Sequence, residues 1–153
     1  MPRIGVISDT HGLLRDEAAN CLEGSSLIIH AGDIGSAAVI SQLEQIAPVR
    51  AIRGNVDRGA WASAFPGDLL FEVQDQRIYV VHDIKTMDFD PAARGVRVVI
   101  SGHSHRPKIE TVDGVLHVNP GSAGPRRFRL PVALATLSVS RSRVSARIHH
   151  LQP

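Results

Sequence analysis

Five short apolar runs, rich in β-branched residues, constrain the fold of this 153-residue chain more than any other feature. Runs of this length that are apolar on both faces predict strands buried in the centre of a sheet. They occupy residues 4–7, 27–29, 49–52, 78–81 and 98–100. Segments with helical spacing, residues 15–23 and 36–47, separate the first three runs. This alternation predicts a right-handed strand–helix–strand crossover and hence an α/β fold.

The second half of the chain is predicted to form hairpins, because its turn residues recur too often to leave room for long helices. An Asp-Gly pair at residues 113–114 joins two alternating segments, 109–112 and 115–118, and both turn positions accept positive φ. Residues 144–149 alternate between apolar and polar, which predicts a strand with one face in water. Residues 83–95 have room for a short helix at most.

Composition favours one globular core and excludes several classes of protein. Hydrophobic residues make up 43% of the chain and charged residues 21%, which is typical of globular domains. Because no repeat, linker or low-complexity tract divides the sequence, we expect a single domain over residues 1–153. No segment approaches the roughly 18 apolar residues of a membrane span. The lone Cys21, predicted to be buried, fits a reducing compartment, so we expect a cytoplasmic protein.

Residues of the types that bind metal ions follow every one of the five predicted strands. They are Asp9 and His11, then Asp33, then Asn55 and Asp57, then His82, and finally His103 and His105. Loops at the carboxyl ends of strands form the ligand crevice of an open α/β sheet, so these side chains are expected to converge. Carboxylate, amide and imidazole groups without thiolates suit manganese, iron, zinc or similar ions, rather than an iron–sulfur cluster or a structural zinc.

These residues outnumber the ligands that one ion needs. All of them except Asp57 fit a pair of ions about 3.5–4 Å apart that share a carboxylate, an arrangement that clamps an in-line phosphoryl displacement. Asp33 is the natural bridge. Asp57 is either a partner of the neighbouring Asn55 or a turn residue. Glycines flank the candidate ligands where a tight turn, or close approach of the backbone to an anion, is needed: Gly12, Gly32, Gly54 and Gly102.

Taken in order, the motifs form a recognisable set: Ser8-Asp9-Thr10-His11-Gly12, Gly32-Asp33, Gly54-Asn55-Val56-Asp57, His82 and Gly102-His103-Ser104-His105. This set resembles the calcineurin-like metallophosphoesterases. The Asn-Pro-Gly-Ser loop at residues 119–122 is similar to that of their small bacterial and archaeal phosphodiesterase branch. The resemblance covers residues 3–125 and implies two mixed β-sheets packed as a sandwich flanked by helices, with the site at one end.

The resemblance also implies a division of the ligands between two divalent ions. Asp9, His11 and His105 are expected to hold one ion and Asn55, His82 and His103 the other, with Asp33 bridging. Manganese is the first expectation, with nickel, iron, zinc, cobalt and magnesium as alternatives. The expected reaction is hydrolysis of a small phosphodiester, or of a monoester, by a hydroxide that bridges the ions. His103, Asp33 and Asn55 are expected to act in catalysis, His103 by contacting the phosphate.

Two positions depart from the family pattern. Many relatives carry a His directly after the motif Asn, where it can protonate the leaving group, but Val56 cannot donate a proton. This change favours substrates whose leaving group is already a good one. Gly usually follows the ligand His, but Asp83 stands there. Its carboxylate either orients His82 or repels an approaching phosphate.

Two other functions are consistent with the sequence. The retromer subunit of this superfamily is chiefly an interaction module, so a scaffold is one alternative, although the retention of every ligand argues against it. A nuclease is the other, supported by the cluster Arg126, Arg127 and Arg129 with Phe128 interleaved. Relatives often form dimers or tetramers, so a homo-oligomer of either size stays open beside a monomer. The candidates for phosphate contact by charge are Arg58, Arg106, Arg126 and Arg127.

The remaining histidines are expected to lie outside the site. His30 stands within an apolar run and is predicted to be a core residue with satisfied hydrogen bonds, and His117 is likewise not expected to be a ligand. His149 and His150 are adjacent in a predicted strand and therefore face opposite ways, which favours a surface or edge position.

Overall fold

The computed structural model describes residues 2–127 and 129–152, and these form ten strands and two α-helices. The strands are β1 Arg3–Ile7, β2 Leu27–His30, β3 Val49–Ala51, β4 Asp68–Val73, β5 Gln76–Val81, β6 Val96–Ile100, β7 Lys108–Val112, β8 Val115–Asn119, β9 Ala133–Val139 and β10 Val144–His150. The helices are α1 Asp16–Leu22 and α2 Ala37–Glu44, and the two short 3-10 helices are Ala62–Ala64 and Ile84–Thr86. Phe128, assigned above to the arginine cluster, lies outside the described residues.

The first sheet contains the predicted alternation of strands and helices. Its order is β10-β9-β1-β2-β3, with β1, β2 and β3 parallel and β9 and β10 antiparallel. Helix α2 begins where the Ser36 hydroxyl accepts the N–H of Ala38 at 3.1 Å. The prediction of a central strand at residues 49–52 is wrong, because β2 is the one strand of the described residues that pairs with β3. β3 thus forms the edge of this sheet, where Arg50 is exposed.

The second sheet, ordered β4-β5-β6-β8-β7, is also mixed. The predicted hairpin is confirmed as β7 and β8, with φ of 51° at Asp113 and 79° at Gly114. Two strands, β4 and β9, are absent from the sequence prediction. The β4–β5 turn holds positive φ at Gln74 and Asp75, so it forms without the glycine that usually signals a hairpin.

The two sheets pack face to face over a shared core, which confirms the sandwich. Ile4, Ile29 and Leu137 of the first sheet and Ile78 and Val98 of the second are among its fully buried members. Both α-helices lie against the outer side of the first sheet, where their apolar residues form a second cluster, with the partly buried Cys21 packed against it. Among the described residues, no helix is long and apolar enough to cross a membrane.

Part of the outer face of the second sheet is covered by the segment between β5 and β6 rather than by an α-helix. Met87 and Phe89 of this segment pack against a small cluster that includes Tyr79 and Val99. The only helix that the structure assigns within residues 83–95 is the 3-10 helix Ile84–Thr86, so the prediction of a short helix at most is confirmed. The segment between β5 and β6 therefore begins at the candidate ligand His82 and then packs on the outer face of the second sheet.

Candidate metal centre

Loops leaving the carboxyl ends of β1, β2, β3, β5 and β6 meet at one end of the sandwich. The first two run side by side, because the N–H of Asp9 donates to Gly32 O at 3.0 Å and the N–H of His11 donates to Asp33 O at 2.9 Å. The last two are joined by a 2.9 Å bond from the Gly102 N–H to His82 O. Residues distant in the sequence are thus brought to one place, as the pattern of polar residues at strand ends predicted.

Two acidic residues and three histidines form the buried centre of this cluster. Asp33 lies between two imidazoles, with Oδ2 3.2 Å from His82 Nε2 and 3.7 Å from His11 Nε2. Asp9 Oδ1 is 3.4 Å from His105 Nε2 and 3.8 Å from His82 Nε2. The donor atoms fall into two overlapping groups with the spacing of a metal site, Asp9–His11–His105 and Asp9–Asp33–His82.

Several of these buried donor atoms have no hydrogen-bond partner among the described residues. They include Asp9 Oδ1, His11 Nε2 and His82 Nε2. Leaving buried polar atoms unpaired costs on the order of 1–3 kcal/mol each, and native proteins rarely tolerate it without a reason. Cations would satisfy all three atoms at once, and oxygen with imidazole donors is a common ligand set for first-row divalent metals. The residues therefore fit a metal.

His103 and Asn55 lie at the rim rather than in the buried group. The side chain of His103 is 45% exposed, and its Nδ1 lies 3.3 Å from Asn55 Nδ2. The backbone N–H of His103 donates to Asp9 Oδ2 at 3.1 Å, so the rim is tied to the buried centre through the main chain. The rings of His103 and His82 pack edge to face at 5.2 Å.

Burial and neighbouring charged or hydrogen-bonding groups shift the pKa values of the acidic residues and histidines in the centre, often in opposite directions. Burial would raise the pKa of Asp33, but the imidazole of His82 beside it and the hydrogen bond from the Val56 N–H hold the pKa below its usual range. Burial would lower the pKa of His82, but the carboxylate of Asp33 beside it and the hydrogen bond to Ala31 O raise the pKa. Burial raises the pKa of Asp9 and lowers that of His105. Metal ions bind the unprotonated imidazole, so metal binding at His82 would compete with its protonation.

Five of the seven candidate ligands have the left-handed backbone conformation. The φ angles are 56° at Asp9, 48° at His11, 54° at Asp33, 71° at His103 and 62° at His105. Positive φ is uncommon outside glycine and costs on the order of 1–3 kcal/mol per residue. Such strain persists where surrounding structure imposes it, and it concentrates at functional sites. In this chain it turns the side chains of consecutive loops toward one another.

Several supporting residues were not identified from the sequence. The hydroxyl of Ser8 donates to Asp9 Oδ2 at 2.7 Å, and His82 Nδ1 donates to Ala31 O at 2.8 Å, which leaves Nε2 facing the carboxylates. Ser122 Oγ donates to Asp9 O at 2.9 Å, and Asn119 Nδ2 donates to Gly102 O at 2.9 Å. The Asn-Pro-Gly-Ser loop thus holds the ligand loops from outside. Its place in the motif set was the only signal in the sequence.

Three of the four glycines beside the ligands permit neighbouring loops to approach one another. A Cβ on Gly54 would collide with the backbone N and Oδ1 of Asp33, and one on Gly102 would collide with Ser8 Oγ. Gly32 combines a φ of 100° with a Cβ position 2.7 Å from His82 Nδ1. Gly12 has a φ of 85° with open space around it, so its role is conformational.

The departures from the family pattern also lie at the rim. Val56 is 49% exposed, and its backbone N–H donates to Asp33 Oδ1 at 3.1 Å. Asp83 does not contact His82 by a hydrogen bond; its Oδ2 lies 3.8 Å from His103 Nε2. A groove of about 270 Å³ opens beside these residues and is lined by Arg53, Asn55, His82, Asp83 and Thr86, among others.

The remaining polar candidates are placed as follows. The expectation that His30 is a satisfied core residue is confirmed, because it is fully buried and hydrogen-bonded to Thr10 and Gly32. His117 lines a separate groove, and His149 and His150 lie on the edge strand β10. The four arginines named as phosphate candidates are exposed and form no ion pair with a described carboxylate: Arg58, Arg106, Arg126 and Arg127.

Comparison with known proteins agrees with this geometry. Residues 2–142 match the family profile described as a calcineurin-like phosphoesterase superfamily domain. A probable metallophosphoesterase of Methanothermobacter thermautotrophicus is 33% identical, with 95% of this chain and 90% of the relative aligned. A phosphodiesterase of Methanocaldococcus jannaschii is 30% identical, with 78% of this chain and 82% of the relative aligned.

A solved structure shows the same fold. Vacuolar protein sorting 29 of Cryptosporidium parvum superposes with a TM-score of 0.84 at 16% identity, covering 99% of this chain and 92% of that chain. At this identity the likeness concerns the fold alone. The family profile, the two relatives and the metal-type cluster at the strand ends converge on one conclusion: this chain belongs to the calcineurin-like phosphoesterase superfamily.

Proposed function

We propose that this chain is a phosphodiesterase that depends on two divalent metal ions, manganese in the first place, and acts on a small phosphoester. The observation that carries the proposal is the position of Asp33, whose Oδ2 faces His11 on one side and His82 on the other. A carboxylate placed between two sets of donors is what a bridged pair of ions needs. The similarity to a phosphodiesterase over 78% of the chain supports the reaction type.

The side chains divide by position into holding and contacting roles. Asp9, His11 and His105 would hold one ion, His82 with Asn55 and His103 would hold the other, and Asp33 would bridge them. When bound, the ions supply Lewis acidity at the phosphoryl group and lower the pKa of the attacking water. His103 is the most exposed of the histidines in the cluster, which supports a role in contacting the phosphate as it enters from the rim.

Val56 sets a limit on the substrate. The valine occupies the rim position where many relatives carry a histidine, and its side chain offers no proton to a departing alkoxide. A leaving group of low pKa departs without such help, whereas a simple alcohol needs an acid. We therefore expect aryl and other activated phosphodiesters to be hydrolysed faster than alkyl ones.

The test is turnover of the chromogenic diester bis(p-nitrophenyl) phosphate by the purified chain with added manganese. We expect turnover that Asp33→Ala lowers by more than about 100-fold, since even residues that merely support a metal ligand contribute about 10- to 100-fold. Arg141→Ala, an exposed change in the β9–β10 turn far along the chain from every candidate ligand, is the matched control and should retain full activity. A metal-loaded chain as inert as Asp33→Ala would reject the proposed activity.

An interaction scaffold is the second candidate, because the likeness to vacuolar protein sorting 29 shows that this fold also occurs outside the named phosphoesterases. The unpaired buried atoms Asp9 Oδ1, His11 Nε2 and His82 Nε2 favour the enzyme, since a scaffold has no need to keep them. Metal stoichiometry separates the two: the enzyme requires two ions per chain, whereas a scaffold is compatible with one or none.

A further inference from the structure

Asp83 stands where the family pattern has glycine, and its two carboxylate oxygens face different residues, Lys85 and His103. Oδ1 accepts the N–H of Lys85 at 3.1 Å, and the carbonyl of Asp83 accepts the hydroxyl of Thr86 at 2.7 Å. These bonds fix Asp83 as the residue that caps the 3-10 helix Ile84–Thr86. Its remaining oxygen, Oδ2, faces His103 Nε2 at 3.8 Å.

The two nitrogens of His103 face opposite sides. Nδ1 lies 3.3 Å from the amide of Asn55, while Nε2 is directed to Asp83. The ring is 45% exposed, and its only ring partner among the described aromatics and histidines is His82. Packing therefore does little to fix this side chain. An imidazole on an exposed rim loses rotamer freedom when it becomes a ligand, unless a neighbour already restrains it.

We propose that Asp83 is a positioning residue for His103. Its carboxylate lies 3.8 Å from Nε2, beyond hydrogen-bond distance, and attracts the Nε2–H electrostatically. This attraction favours the tautomer in which Nδ1 is unprotonated and accepts from the amide of Asn55 at 3.3 Å. The inference rests on the proposed function, because it assigns His103 and Asn55 to one ion.

The alternative role for Asp83, orienting His82, is not supported by the contacts. His82 Nδ1 already donates to Ala31 O at 2.8 Å, and its Nε2 faces Asp33 at 3.2 Å. No hydrogen bond or ion pair joins Asp83 to either ring nitrogen of His82 in the described structure. Carboxylates that accept a hydrogen bond from a metal-binding imidazole raise its basicity, and their removal typically lowers metal affinity by about 10- to 100-fold.

The variant Asp83→Ser tests this role, because serine still caps the 3-10 helix but is too short to reach His103. Asp88→Ser, an exposed carboxylate in the same segment, is the matched control. Calorimetric titration with manganese should show two binding events in the wild-type chain and in Asp88→Ser. In Asp83→Ser we expect one of the two affinities to fall by about 10- to 100-fold with the other unchanged.

A second readout needs no metal. Nitrogen-15 spectra of the ring nitrogens should show His103 protonated at Nε2 in the metal-free wild type, and a mixture of tautomers in Asp83→Ser. Asp83→Asn, which keeps a neutral acceptor, should retain the tautomer. Equal metal affinities and equal tautomers in wild type and Asp83→Ser would overturn this inference alone. A wild-type chain that binds fewer than two ions would overturn the inference and the proposed function together.

Discussion

His30 lies three residues before Asp33 and is the histidine most easily confused with a ligand. It is fully buried, its Nδ1 accepts the Gly32 N–H at 3.1 Å, and its Nε2 lies 3.0 Å from the hydroxyl of Thr10. That hydroxyl donates to Ile34 O, so it accepts from Nε2–H. Burial lowers the pKa of His30 to about 3. The uncharged ring therefore holds the loop that carries Asp33 through its two hydrogen bonds.

This assignment predicts a pH dependence of stability for the metal-free chain. Between an unfolded pKa of about 6.5 and the folded value of about 3, the unfolded chain binds a proton at His30 that the folded chain does not. Acid therefore favours unfolding throughout this window. For each unit by which the pH is lowered within this window, we expect the free energy of unfolding of wild type to fall by about 1.4 kcal/mol relative to that of His30→Gln.

Urea denaturation at intervals from pH 6.5 to 4.5 provides the measurement, with the exposed His150→Gln as the control that keeps the wild-type slope. Parallel pH profiles for wild type and His30→Gln would show that the buried imidazole does not carry this effect.

At the residue scale the sequence was sufficient to separate His30 from the ligands, because His30 lies within its predicted strand whereas the ligands follow theirs. The left-handed φ at five ligand positions could not be predicted from the sequence, because Asp and His tolerate this conformation but adopt it in only a small share of their positions.

At the scale of elements, Asp57 connects the loops that follow β2 and β3. Its carboxylate accepts the N–H groups of Ile34 at 3.0 Å, Gly35 at 2.9 Å and Gly54 at 2.8 Å. Asp57 was expected to be either a partner of Asn55 or a turn residue. The structure shows instead that its carboxylate holds the main chain next to Asp33 and next to Asn55. No feature of the sequence distinguishes this role, because all three contacts are to backbone groups.

We predict that Asp57→Asn destabilises the metal-free chain by about 2–4 kcal/mol, because the new amide group turns a donor toward buried N–H groups. Asp75→Asn, at an exposed turn position with a φ of 63°, is the control and should change stability little. The denaturation midpoint in urea measures both. Equal midpoints for the two variants would contradict the clamping role.

Strands that are buried on both faces were predictable from the sequence, whereas β4 and the edge position of β3 were not. The apolar runs located β1, β2, β5 and β6 because burial on both faces leaves a continuous signal. β4 was missed because its neighbouring turn, Gln74–Asp75, lacks glycine, and the edge position of β3 was missed because a run of apolar letters does not tell how many partners a strand has.

At the scale of the whole molecule, the sandwich places its ligands on loops from both sheets. The shared core between the sheets includes Ile4 and Ile29 on one side and Ile78 and Val98 on the other. Neither sheet can bury that face alone, so we propose one domain and expect a single cooperative unfolding transition. Differential scanning calorimetry of the metal-free chain should give equal calorimetric and van't Hoff enthalpies. Two resolved transitions would show that the sheets unfold independently.

The central claim is that donors from five loops hold a pair of cations at the end of this sandwich. A crystal grown with excess manganese and measured at the manganese edge tests it most directly. The account predicts two anomalous peaks about 3.5–4 Å apart, one beside Asp9, His11 and His105, the other beside His82, Asn55 and His103, with Asp33 touching both. A single peak, no peak, or side chains directed away from the peaks would contradict it.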